Sequence, residues 1–206
     1  MSSGEGNLMA TNNFISFEKP FTDELDKNGV IHEYQEIGQF IDPKLFMNPD
    51  GIHGVLHAKR VLLITLIQSY LLKLPQEHKL ILAWCGVFHD IGRENDNEDS
   101  HHGRLSMQKL NDKKLSANLS ERLGTEGMNI LRYIIENHAV SDKVGIKDVS
   151  NYGIKDVELA KRLYSLFKDA DGLDRCRLGD LDVKYLRNEI SMRLVLLAEQ
   201  LLIRIK

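Results

Sequence analysis

Residues 79–96 read KLILAWCGVFHDIGREND. Leu80, Ile81, Ala83, Trp84, Val87, Phe88 and Ile91 are apolar almost all round a helical wheel, as in a helix surrounded by other helices, and Gly92 suits its C-terminal cap. His89 and Asp90 stand where that helix ends, and the chain turns abruptly polar after them. The neighbouring segments show the same period. From His53 to Leu74, apolar side chains recur at steps of three and four, and Pro75 marks the stop. Further helices are expected from about His101 to Leu110, through TEGMNILRYIIENHAV, from Val157 to about Asp169, and from about Val183 to Ile205. The Lys/Asn/Ser-rich stretch after Leu110 reads as a connection and SDKVGIKDVSNYG as a surface loop or lid. No strand-like alternation exceeds a few residues and no segment repeats. The expected fold is an all-α bundle.

At 206 residues and 42% hydrophobic content, one domain is favoured over two. Residues 1–20 read as a flexible leader and residues 21–206 as a single helical domain. With 28% charged residues of both signs and a net charge of −3, nothing marks nucleic acid or an anionic membrane as a partner. Cys85 and Cys176 are too few for a disulfide framework, which fits a cytoplasmic setting. The run RVLLITLIQSYLLKL contains Gln68 and Ser69 and reads as a buried helix, not a membrane span. The last stretch, with Leu194, Leu197, Leu201 and Ile205, either finishes the core or joins a second copy; the former is the default.

The informative residues interrupt this apolar pattern. His57 lies inside the first long helix with Arg60 one turn later, His89 and Asp90 end the second, and Asp169, Asp171 and Asp174 follow LYSLF. An uncompensated buried carboxylate costs several kcal/mol. A divalent cation would resolve all these positions together, since it keeps carboxylates ionised and takes neutral imidazole as a ligand. Taken singly, His57 reads as a hydrogen-bonded core histidine, Asp171 and Asp174 as capping carboxylates, and His138 as a histidine at a helix C-terminus.

In order along residues 50–180, HGVLHAKRV, FHDIGREND, HHG, ENH and KDADGLDRCRLG resemble the HD-domain superfamily of metal-dependent phosphohydrolases, an all-α group. The resemblance implies an HD-like helical bundle with metal ligands His57, His89, Asp90 and Asp171. Some members add histidines that bind a second metal or contact substrate phosphate, and by order in the chain the candidates here are His102, or His101 in its place, and His138. The GYP signature of cyclic-di-GMP hydrolases is absent. The expected activity is hydrolysis of a phosphate ester or anhydride in a nucleotide or related small molecule. His53, Arg60 and Arg93 would orient the phosphate, and Asp90, His102 or His138 would handle protons. Asp174 and Arg175 read as a structural pair supporting Asp171. Such ligands admit Mn, Fe, Co, Ni, Zn or Mg. Base recognition would fall to the loops at 94–101 and 140–153. Two other readings are a di-iron HD-type oxygenase and an inactive nucleotide-binding regulator.

Overall fold

The computed structural model describes residues 14–206. All regular structure there is helical: α1 (Phe21–Lys27), α2 (Val30–Gly38), α3 (Val55–Leu71), α4 (Gln76–Phe88), α5 (His102–Asp112), α6 (Leu115–Asn137), α7 (Asp142–Asp148), α8 (Val157–Leu173), α9 (Glu189–Arg193) and α10 (Val195–Arg204), with short 3-10 turns between. The all-α expectation holds. None of these helices is long and apolar enough to cross a membrane.

Helix α3 is the axis of the bundle: from His57 to Ser69 every side chain but Lys59 is buried. Helix α4 lies directly against it, and Gly86 makes the contact close; a Cβ there would sit 3.0 Å from the Leu62 Cα. Helices α6 and α8 complete the core with Ile130, Leu131, Ile134, Leu163, Leu166 and Phe167, all essentially inaccessible. Leu194, Leu197 and Leu201 are buried in the same chain, so the C-terminal segment finishes the core.

Several boundaries differ from the sequence reading. The stretch after Leu110 is helical from Leu115, and the chain bends at Gly124, where φ is +63°. Residues 141–153, read as a surface loop or lid, instead form α7 and a 3-10 turn packed on α6 and α8. Gly145 makes this packing possible, since a Cβ there would overlap the Tyr164 hydroxyl at 2.2 Å. The expected final helix is divided by an extended stretch at Leu186 and Asn188. Asp169, buried within α8, explains that stretch: its carboxylate accepts the backbone N–H groups of Arg187 and Asn188 at 2.9–3.0 Å and is satisfied without a metal. The supposed leader divides too. Residues 1–13 lie outside the described residues, whereas 14–20 run along the C-terminal helices, with Ile15 N–H donating to Arg193 O and Phe17 N–H to the Gln200 side chain.

Gly92 is not a left-handed cap. Helix α4 ends at Phe88, and Gly92 lets α5 approach: a Cβ there would lie 2.0 Å from Ser106 N. The Ser106 hydroxyl accepts from Gly92 N–H at 2.8 Å and donates to His89 O at 2.6 Å, tying α5 to the His-Asp turn. On the other side of α5, a Cβ on Gly103 would meet Ile135 O at 2.1 Å. Gly103→Ala forces two backbones apart and is expected to cost about 1–3 kcal/mol, seen as a melting point lowered by several degrees. An unchanged melting point would show that α5 is free to shift.

Candidate metal centre

Five parts of the bundle deliver imidazole and carboxylate groups to one place. His57 comes from the first turn of α3, His89 and Asp90 from the turn ending α4, His102 from the start of α5, His138 from the end of α6, and Asp171 from the last turn of α8. His57, His89, Asp90, His102 and His138 are buried; the side chain of Asp171 is partly open.

The tautomers follow from what each Nδ1 faces, because a carbonyl can only accept. His89 Nδ1 lies 3.2 Å from Cys85 O and Gly86 O, His102 Nδ1 2.5 Å from Asp99 O, and His138 Nδ1 2.7 Å from Ile135 O. Each therefore carries its hydrogen on Nδ1. His57 Nδ1 donates to the Asp174 carboxylate at 2.7 Å. All four Nε2 atoms point inward as two pairs: His57 and His89 at 3.0 Å, His102 and His138 at 2.8 Å.

Asp90 lies between the pairs. Its Oδ2 is 3.4 Å from His57 Nε2 and 3.6 Å from His89 Nε2, while Oδ1 is 3.0 Å from His102 Nε2 and 3.6 Å from His138 Nε2. Asp171 Oδ1 joins only the first pair, 3.3 Å from His57 Nε2 and 3.8 Å from His89 Nε2. Lone pairs thus face lone pairs and carboxylate oxygens in a buried space, an arrangement that repels itself unless a proton or a cation lies within it. Among the described residues, His53, His57 and Asp90, then His57, His89 and Asp171, and also His89, Asp90 and His138 are grouped closely enough to hold a metal ion.

The electrostatics show the same demand. Burial disfavours imidazolium at His57, yet contacts with Asp171, Asp174 and Asp90 outweigh it and push the pKa up to about 10. His89, desolvated and facing that cationic ring, drops to about 3. Burial also lowers His102. Burial opposes charge on Asp90 and Asp171 as well, but the surrounding histidines hold both below the usual carboxylate range. A cation bound among these atoms would compete with a proton for His57 Nε2.

Asp174 secures this arrangement from behind. It accepts the His57 Nδ1–H and two guanidinium contacts from Arg60, Nε to Oδ1 at 2.6 Å and Nη2 to Oδ2 at 3.1 Å. Arg60 is buried there and does not line the cavity, so the expectation that it orients phosphate is corrected. The expected partnership of Asp174 with Arg175 is also corrected: Arg175 pairs with Asp180. Asp174 instead bonds Arg177, a residue the sequence reading passed over.

A cavity of about 460 Å³ opens over the centre. His53 lines it, 3.0 Å from Asp90 Oδ2, as does Arg93, whose Nε donates to Asp90 Oδ1 at 3.1 Å. Arg177 lines it too, anchored on Ile52 O with its Nη2 3.3 Å from His53 Nδ1. Five carboxylates (Asp90, Asp96, Glu98, Asp99 and Asp171) face three guanidiniums (Arg93, Arg175 and Arg177). Divalent cations bound here would turn this acid-rich wall toward attracting anions. Of the proposed base-recognition loops, 94–101 contributes to this wall, whereas 140–153 does not.

Comparison with protein-family models, curated proteins and solved structures finds no match.

Proposed function

We propose that the protein is a metal-dependent phosphohydrolase acting on a phosphate ester or anhydride of a nucleotide or related small molecule. His57, His89, Asp90 and Asp171 would hold one divalent cation, and His102 and His138, with Asp90, would hold a second. The observation that carries this reading is Asp90, whose two oxygens each face a different pair of Nε2 atoms. The ordered motifs resembling the HD superfamily support the same chemistry.

When bound, such ions lower the pKa of water and offset charge developing on a phosphoryl group. The chain supplies the rest. Arg93 and Arg177 stand at the cavity wall with their guanidiniums already fixed by Asp90, Asn97 O, Ile52 O and Asp174, so a phosphate meets donors that need little further ordering. His53 is held against Asp90 at the same wall.

The test is product release from nucleotides by anaerobically purified full chain, reconstituted separately with manganese, iron, cobalt, nickel, zinc and magnesium. Hydrolysis with at least one ion, abolished by chelation, is expected. Oxygen-dependent turnover of an iron-loaded sample without hydrolysis would overturn the reading in favour of an oxygenase. Tight nucleotide binding without product in every sample would overturn it in favour of a regulator.

A further inference from the structure

We propose that the non-phosphate body of the substrate occupies a second cavity beside the metal centre, and that this body is a planar nucleobase-like ring stacked on Tyr185. The proposal rests on the phosphohydrolase reading for what occupies the centre itself. The second cavity, about 520 Å³, shares Asp171 and Arg175 with the first. A phosphate bound beside Asp171 therefore has its ester substituent next to an opening already present.

The two cavities differ in chemistry. Charged and polar groups dominate the wall of the first, whereas the second brings together Leu181, Leu186 and the ring of Tyr185. Tyr185 is 67% exposed, so much of its ring surface is open to a ligand. Lys184 Nζ lies over one face of the ring, 4.9 Å from its centroid, so a base would stack on the opposite face, and Asp180, Asp182, Lys168 and Arg187 line the cavity around the apolar patch. A flat ring with hydrogen-bonding edges matches this mixture of an apolar patch and a rim of charges already paired within the chain. Stacking on an exposed aromatic is a general way to hold a base.

The subsite is built to a fixed distance from the centre. Asp169 grips the backbone N–H groups of Arg187 and Asn188, two residues along α8 from Asp171, and Arg187 also bonds Asp142. The wall that carries Tyr185 is thus anchored to the helix that carries a metal ligand. Gly172, next to Asp171, leaves the floor open, since even an added Cβ would come no nearer Leu186 than 3.9 Å.

The test uses manganese-loaded full chain with the four common nucleoside 5′-monophosphates and, as a probe without a ring, glycerol phosphate. Tyr185→Ala is expected to raise KM about tenfold for the best nucleotide while changing kcat little and leaving glycerol phosphate kinetics unaltered; Tyr185→Phe should behave as wild type. An unchanged nucleotide KM, or equal effects on both probes, would overturn the subsite. If wild type hydrolyses neither probe, equilibrium dialysis of the same nucleotides decides. Binding weakened by Tyr185→Ala would uphold the subsite while the hydrolase reading falls; binding that is absent or indifferent to the substitution would overturn the subsite.

Discussion

Asp90→Ala is expected to abolish hydrolysis, by about three orders of magnitude or more, and to strip the centre of bound metal while leaving the helical circular dichroism signal largely intact. The size follows from position. Among the described residues, Asp90 is the one carboxylate within 3.6 Å of all four inward-facing Nε2 atoms, so its removal would take a ligand from both proposed ion positions at once. Metal catalysis supplies several kcal/mol of barrier lowering, and each 1.36 kcal/mol is tenfold. A residue serving only to end α4 would instead lose about 1 kcal/mol of stability and keep its activity. Elemental analysis and turnover measured on one preparation separate the two outcomes.

Asp174→Ala is expected to act chiefly on the fold. Its carboxylate is buried and accepts from His57, Arg60 and Arg177 together, and these contacts hold it ionised against the cost of burial. Alanine would leave the buried Arg60 guanidinium without its counter-charge, for which a loss of about 3–5 kcal/mol is typical. In a chain of this size that lowers the melting point by about 10 °C. Metal affinity should fall about 10- to 100-fold as well, because His57 loses the acceptor that orients its ring. Asp174→Asn keeps an acceptor oxygen for His57 Nδ1 but loses the charge, so it should recover metal affinity more fully than stability. An unchanged melting point in Asp174→Ala would show that Arg60 finds another partner.

What the sequence disclosed depended on whether chemistry or geometry was being asked. His57, His89 and Asp90 stood out because imidazole and carboxylate inside otherwise apolar helices demand a reason, and the structure does bring them together with His102, His138 and Asp171. The aspartates of DADGLD look alike in one dimension but have three different roles: Asp169 holds the 187–188 backbone, Asp171 faces the imidazoles, and Asp174 pairs with Arg60. Which role each takes depends on the roughly 100° turn between successive helical residues and on what the neighbouring helices present there. Arg60 was misplaced for the same reason: lying one turn from His57 fixes its side of α3 but not its partner. Arg177 and Tyr185 lie on turns after α8, where no period marks a direction. The 141–153 segment reads as a loop or lid, whereas the missing side chain of Gly145 is what admits α7 beside Tyr164.

The central claim is that two pairs of histidines and a shared aspartate form a cation site. Metal content per chain, measured by elemental mass spectrometry on anaerobically purified protein and again after reconstitution, tests it most directly. About two divalent ions per chain are expected, falling sharply in Asp90→Ala. A folded wild-type chain that takes up no ion, even after reconstitution, would contradict the account.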